Sequence, residues 1–92
     1  MLGIVFSSQF RKDYKKIRRS GQKDMNKLQE ILALLADEKP LDARHRNHPL
    51  HGSLEGYFDC HIEPDWILIY KIDKQENCLK LARTGSHSEL FK

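Results

Sequence analysis

The stretch Trp66-Ile67-Leu68-Ile69-Tyr70-Lys71-Ile72 is almost continuously apolar, with Lys71 its one charged member. A run this short, rich in β-branched and aromatic residues, reads as a strand. Apolar side chains at both alternations mark it as a central strand covered on both faces. A chain of 92 residues must build its whole core around it. Chains of this size bury only roughly 60–65% of their unfolded surface. One sheet covered by one or two helices, forming a single domain over residues 1–92, is what that core supports. An apolar fraction of 39% argues for a folded globule despite 32% charged residues.

The flanking sequence supplies the other elements. Leu2 to Phe6 reads as a short strand. Ser7 and Ser8 are helix N-cap candidates, and Phe10, Tyr14 and Ile17 place one apolar face on a helix reaching about Arg19. Ser20-Gly21 breaks it. Met25, Leu28, Ile31, Leu32 and Leu35 form the apolar stripe of a second helix from about Lys23 to Asp37, so the two helices form an αα-hairpin. Lys39-Pro40 stops the second helix, and residues 41–53 read as a polar loop. Residues 57–63 alternate, with Tyr57, Asp59, His61 and Glu63 on one face and Phe58, Cys60 and Ile62 on the other. Pro64-Asp65 is a tight turn. Cys78 to Thr84 is a further strand, ended by Gly85, before a short C-terminal turn.

This order gives an α+β fold. An N-terminal strand and an αα-hairpin pack on one face of a mostly antiparallel sheet of four or five strands. The helices cannot cover both faces, so Tyr57, Asp59 and His61 are expected on an open one.

Several function classes fall away. Cys60 and Cys78 lie on strands expected to be separated by a third, which puts their Cα atoms about 9–10 Å apart, beyond disulfide reach. Both read as reduced thiols of a cytoplasmic protein. The N-terminus lacks the basic segment of a signal peptide, and no apolar run has membrane-spanning length. The net charge of +3 is unevenly spread, with +5 in residues 1–30 and −2 in the remainder. A basic helical face suits a polyanion, and Lys15, Lys16, Arg18 and Arg19 are its candidate contacts.

The chemistry-bearing residues are histidines. Four of five lie in two blocks, His48-Pro49-Leu50-His51 with His61 beyond it, and Arg83-Thr84-Gly85-Ser86-His87. Imidazole moves protons near neutral pH, with an unperturbed pKa of about 6.5. Asp59 and His61 share a strand face, with Asp65 at the following turn, and a carboxylate beside an imidazole orients the ring. His45, His48 and His51 repeat every third residue, but that is no known zinc spacing and no cysteine joins them, so no metal is assigned. Arg83 offers a planar fork for phosphate, Gly85 allows close backbone approach to a ligand, and Phe91 could stack on a base. RNA cleavage through the 2′-hydroxyl needs a base, an acid and a cation for the phosphorane charge. His48, His61 and His87 can fill the first two roles and Arg83 the third, without metal or cofactor.

The segments Lys23-Asp24-Met25-Asn26-Lys27-Leu28, His48-Pro49-Leu50, Gly52-Ser53, Gly56-Tyr57, Glu63-Pro64-Asp65-Trp66-Ile67-Leu68-Ile69-Tyr70-Lys71, Arg83-Thr84-Gly85 and Leu90-Phe91, with Asp59, His61 and His87, resemble the YafQ family of bacterial ribosome-dependent mRNA interferases, within the RelE-like toxin superfamily. The resemblance implies a toxin that cuts mRNA in the ribosomal A site. It implies a cognate antitoxin of the RelB/DinJ type, and contact with operator DNA only through the antitoxin complex. It places function at His48, Asp59, His61, Asp65, His87 and Phe91, with His87 favoured as acid and His48 or His61 as base. Two other readings stand beside it. One is a catalytically silent module of the same fold that binds antitoxin and operator DNA. The other is a ribonuclease that works without the ribosome.

Overall fold

A computed structural model describes residues 1–91. Strand β1 (Gly3–Phe6) leads into helices α1 (Ser8–Ser20) and α2 (Met25–Ala36), followed by β2 (His48–Pro49), β3 (Phe58–Glu63), β4 (Trp66–Asp73), β5 (Cys78–Gly85) and α3 (His87–Leu90). The sheet order is β1-β5-β4-β3-β2, with β1 parallel to β5 and the other pairs antiparallel.

The helices start where their caps allow. The Ser7 side chain accepts from the Phe10 amide, and Asp24 accepts from Asn26. Gly21, at φ 67°, ends α1 in the left-handed conformation that glycine adopts without penalty. Leu28, Ile31, Leu32 and Leu35 from α2, with Phe10 from α1, meet Cys60, Ile62, Trp66, Leu68, Tyr70, Leu79 and Leu81 from the sheet. Cys60 is fully buried and lies within this core. Burial first, and the nearby Asp59 second, push its thiol up to about 12, so it is no nucleophile. Cys60 and Cys78 are free thiols on the two strands flanking β4.

Two expectations need correction. The polar loop over residues 41–53 is not featureless. It holds a 3-10 turn at Ala43–His45, the two-residue strand β2 and the start of a second 3-10 turn at Gly52–Leu54. His48 therefore lies on an edge strand rather than in a loop. Second, the sheet face away from the core is not open. Asp59 is only 4% exposed and His61 9%, with Ile67 and Ile69 buried on the same face.

Both strands flanking β4 run past their outer neighbours at one end of the sheet. β1 pairs with β5 only as far as Leu81, and β2 pairs with β3 only at Phe58 and Asp59. The exposed backbone edges beyond need other partners. On β5, Ser7 Oγ donates to the Ala82 carbonyl, and the Thr84 amide donates to the Asp13 carboxylate of α1. On β3, the His45 imidazole bonds the His61 carbonyl at 2.6 Å. The catalytic candidates stand at this end.

Candidate active site

Strand register sets out the site. Arg83 on β5 is opposite Ile69 on β4, Ile69 is opposite Asp59 on β3, and Asp59 is opposite His48 on β2. A second row runs from Gly85 through Ile67 to His61. Neighbouring strands lie about 4.8 Å apart, so Asp59 and His48 are adjacent on one face and His61 stands one step along β3.

The Nδ1 atom of His48 is 2.7 Å from the Arg46 carbonyl. A carbonyl cannot donate, so Nδ1 carries the proton and a neutral ring offers Nε2 as base. Arg46 takes φ 46°, a left-handed conformation uncommon outside glycine, which turns that carbonyl toward the ring. Asn47, next in the chain, accepts from the buried Tyr70 hydroxyl at 2.6 Å and pins the loop to β4. Burial first pushes the Tyr70 phenol up to about 12, so it remains a donor.

The ring of His61 has the same polarity. Its Nδ1 faces the Pro64 carbonyl at 3.2 Å, again leaving Nε2 as the basic nitrogen. Its plane tilts against the His87 ring at a centroid distance of 5.7 Å, and Phe91 lies 5.5 Å beyond His87. The His87 ring makes no hydrogen bond among the described residues, while its backbone amide donates to the Asp65 carboxylate at 3.1 Å. His87 thus has a fixed backbone and an uncommitted imidazole.

Helix α3 holds His87 in place. The Ser86 side chain accepts from the Glu89 amide, and the Glu89 carboxylate accepts from the Ser86 amide, a complete capping box. The other Glu89 oxygen accepts from Lys16 at 2.7 Å. Lys16, expected to contact RNA, is instead paired across to α3. Gly85, expected to admit a ligand, admits α3: a Cβ there would lie 3.1 Å from a Glu89 oxygen and 3.4 Å from Leu90.

The Lys16 bond first, and the Ser86 bonds after it, hold the Glu89 carboxyl down at about 2. A folded-state value below the ordinary 4.5 means that this clamp stabilises at pH above that value and is lost as pH falls through about 2. The Ser86 amide resonance, whose proton Glu89 accepts, is therefore expected to titrate with a midpoint near 2. A midpoint near 4.5 would show that the clamp does not form in solution.

Asp59 requires correction. It was expected to orient His61, its strand neighbour at i+2, but its nearest titratable partner is His48 across the β2–β3 pair, with Nδ1 to Oδ1 at 3.2 Å. That approach lacks hydrogen-bond geometry, and Asp59 Oδ1 is buried with no bonded partner. Arg83 was expected to face phosphate freely. Its Nε and Nη2 instead bond the Asp13 carboxylate at 2.8 and 3.2 Å, and this pairing raises its already high pKa. Lys15 and Arg18 line a groove with Ile4, Phe6 and Phe10 between β1 and the helical hairpin, and Arg19 is exposed.

Asp13, His45, Asn47 and Glu89 carry structure at the site that sequence reasoning did not find. Only Glu89 had a local signal, since Ser86-x-x-Glu89 is a capping-box pattern. Among the described residues, no three His, Cys, Asp or Glu side chains group to hold a metal ion. The Nδ1 atoms of His45 and His48 are spent on backbone carbonyls.

Comparison with known proteins is consistent along the whole chain. The family model described as the bacterial toxin of type II toxin-antitoxin system, YafQ, matches residues 2–92. The mRNA interferase toxin YafQ of Escherichia coli (strain K12) is 47% identical over 89 residues, 96% of this chain and 94% of that protein. A metal-bound toxin from Helicobacter pylori superposes with a TM-score of 0.90 at 46% identity, covering 99% of this chain and 100% of that one. The toxin of the Escherichia coli DinJ-YafQ complex superposes at 0.86 with 45% identity, covering both chains fully. The chain belongs to the YafQ family of bacterial toxins of type II toxin-antitoxin systems.

Proposed function

We propose that this toxin is an endoribonuclease that cleaves mRNA in the ribosomal A site through the RNA's own 2′-hydroxyl, by acid-base chemistry with no metal step. One observation carries the reading. The unbonded His87 imidazole stands against His61, and both His61 and His48 turn Nδ1 to backbone carbonyls. That arrangement supplies one free ring to protonate the leaving 5′-oxygen and two rings whose Nε2 can take the 2′-hydroxyl proton. Phe91, beside His87, offers a face for a base. Arg83, held side-on by Asp13, retains Nη1 for the phosphate. The curated relative named an mRNA interferase supports the reaction, and the DinJ-YafQ complex supports an antitoxin of that type as partner. Operator DNA would be reached only through the antitoxin complex, and the site of action would be the cytoplasm.

The test is cleavage of a defined mRNA by purified toxin, with and without programmed ribosomes. Cleavage with ribosomes alone supports the proposal in full. Cleavage of naked mRNA at the same rate removes the ribosome from it. No cleavage in either arm, with antitoxin binding intact, would leave a silent binding module.

Ribosome contact is assigned to the exposed cations of α1. Lys15, Arg18 and Arg19 carry it, because Lys16 is occupied by Glu89. Arg18→Glu with Arg19→Glu is expected to weaken ribosome association and to reduce its salt dependence by about one unit of slope per lost phosphate contact. Unchanged association across a salt titration would remove this face from the interface.

A further inference from the structure

We infer that Asp13, on α1 and outside the histidine cluster, is a positioning residue for cleavage: it fixes the end of β5 that carries Arg83 and leads into His87. The inference rests on the proposed function for the roles of Arg83 and His87, but its geometric content stands alone.

β1 stops pairing with β5 at Leu81. The register between β4 and β5 shifts between Ile69 and Tyr70, leaving Ala82 as an extra residue on β5. Such a bulge twists the strand and frees backbone groups. Ser7 Oγ takes the Ala82 carbonyl, and Asp13 takes the Thr84 amide beyond it, where β1 no longer pairs. Its Oδ2 accepts from both the Thr84 amide at 3.2 Å and Arg83 Nε at 2.8 Å, and its Oδ1 accepts from Arg83 Nη2 at 3.2 Å. With Gln9 Nε2, which donates to Oδ1 at 3.2 Å from the same helix, four donors converge on one carboxylate whose side chain is 11% exposed.

Two consequences follow. The side-on fork leaves Arg83 Nη1 as the guanidinium end directed to other partners, so Asp13 sets which edge of the arginine is available. Thr84 is three residues before His87, and its hydroxyl ties the same point to the core by accepting from Trp66 Nε1 and donating to the Ile67 carbonyl, each at 2.9 Å. Asp13 and Trp66 therefore hold Thr84 from both sides, and the segment Gly85-Ser86-His87 departs from a fixed point. A small displacement of a reacting group costs rate steeply. An ordinary surface ion pair would not show this effect, since such pairs contribute little.

The test compares wild type, Asp13→Asn and Asp13→Ala in single-turnover cleavage on programmed ribosomes, with melting curves. Asp13→Ala is expected to lower the saturating rate at least tenfold with the half-saturating ribosome concentration within twofold. Asp13→Asn, which keeps an oxygen for the Thr84 amide, should fall between. A saturating rate within twofold of wild type in folded Asp13→Ala, or a loss lying wholly in half-saturation, overturns the inference. If Asp13→Ala does not fold, Asp13→Asn decides by the same split. A substrate-free readout separates this from the proposed function: the His87 imidazole resonances of the free toxin should shift in Asp13→Asn while those of His48 stay in place. Unmoved His87 resonances overturn the inference even if wild type cleaves. Shifted ones support it even if the wild-type reaction proves different.

Discussion

His87→Ala is expected to lower mRNA cleavage by roughly 10²–10⁴-fold, the range of a lost general acid or base. Stability and antitoxin binding should persist. The expectation follows from what the ring does and does not touch. Its imidazole has no hydrogen bond within the described residues, and its neighbours are the rings of His61 and Phe91. Its structural duties belong to its backbone: the amide donates to Asp65, and its carbonyl accepts from the Phe91 amide. Alanine keeps both. Helix α3 keeps its Ser86–Glu89 capping box as well. The substitution thus removes a proton-transfer group and little else, and exposed positions of that kind usually change stability by no more than about 0.5 kcal/mol. Single-turnover cleavage on programmed ribosomes, beside a melting curve, checks both halves. Wild-type cleavage in a folded His87→Ala protein would end the assignment of His87 as acid. His61→Ala is the comparison, because His61 is buried and bonded. Its loss should cost stability as well as rate, so the two variants separate a free catalytic ring from one that also holds the fold.

The elements were legible because their signals are local. The apolar run from Trp66 marks β4, Ser7 and Asp24 cap the helices, and alternation over residues 57–63 puts Asp59 and His61 on one face. What stayed hidden was which side chains meet across strands. Asp59 and His61 are neighbours in sequence by a period of two, but register places Asp59 opposite His48 instead. A pairing across strands depends on where β2 begins, and a two-residue strand has no periodicity to read. The open face was misjudged for a related reason: small loops and the C-terminal turn cover it without forming long apolar patterns. Asp13 was given no role, and Lys16 read as a polyanion contact on the basic helix face. Their partners, Arg83 and Glu89, lie 70 or more residues away, and single-chain spacing has no means of pairing residues at that distance. Glycine 85 was found as a special position but given the wrong neighbour, since lack of a side chain says that something approaches closely and not what it is.

Asp59→Asn is expected to lower cleavage at least tenfold while leaving the melting temperature unchanged or raised. The carboxylate is 4% exposed, and its Oδ1 atom has no hydrogen-bond partner. Burying a charge without full compensation is costly, so this group is a poor contributor to stability. Among the described residues, the opposing charge within ion-pair distance is that of a protonated His48, whose Nδ1 lies 3.2 Å away and whose proton is already directed to the Arg46 carbonyl. When His48 takes the 2′-hydroxyl proton it becomes a cation beside the buried Asp59 carboxylate, and the attraction between them steadies that charge although the imidazole itself is half exposed. Asparagine keeps the size and removes the charge. It relieves the buried carboxylate in the resting protein and withdraws support from the charged imidazole during the reaction. Relief of about 1 kcal/mol would raise melting by roughly 4–8 °C in a domain of this size. The opposite result, a fall in melting temperature with cleavage preserved, would show that Asp59 is a structural partner of His48 and that the base is His61.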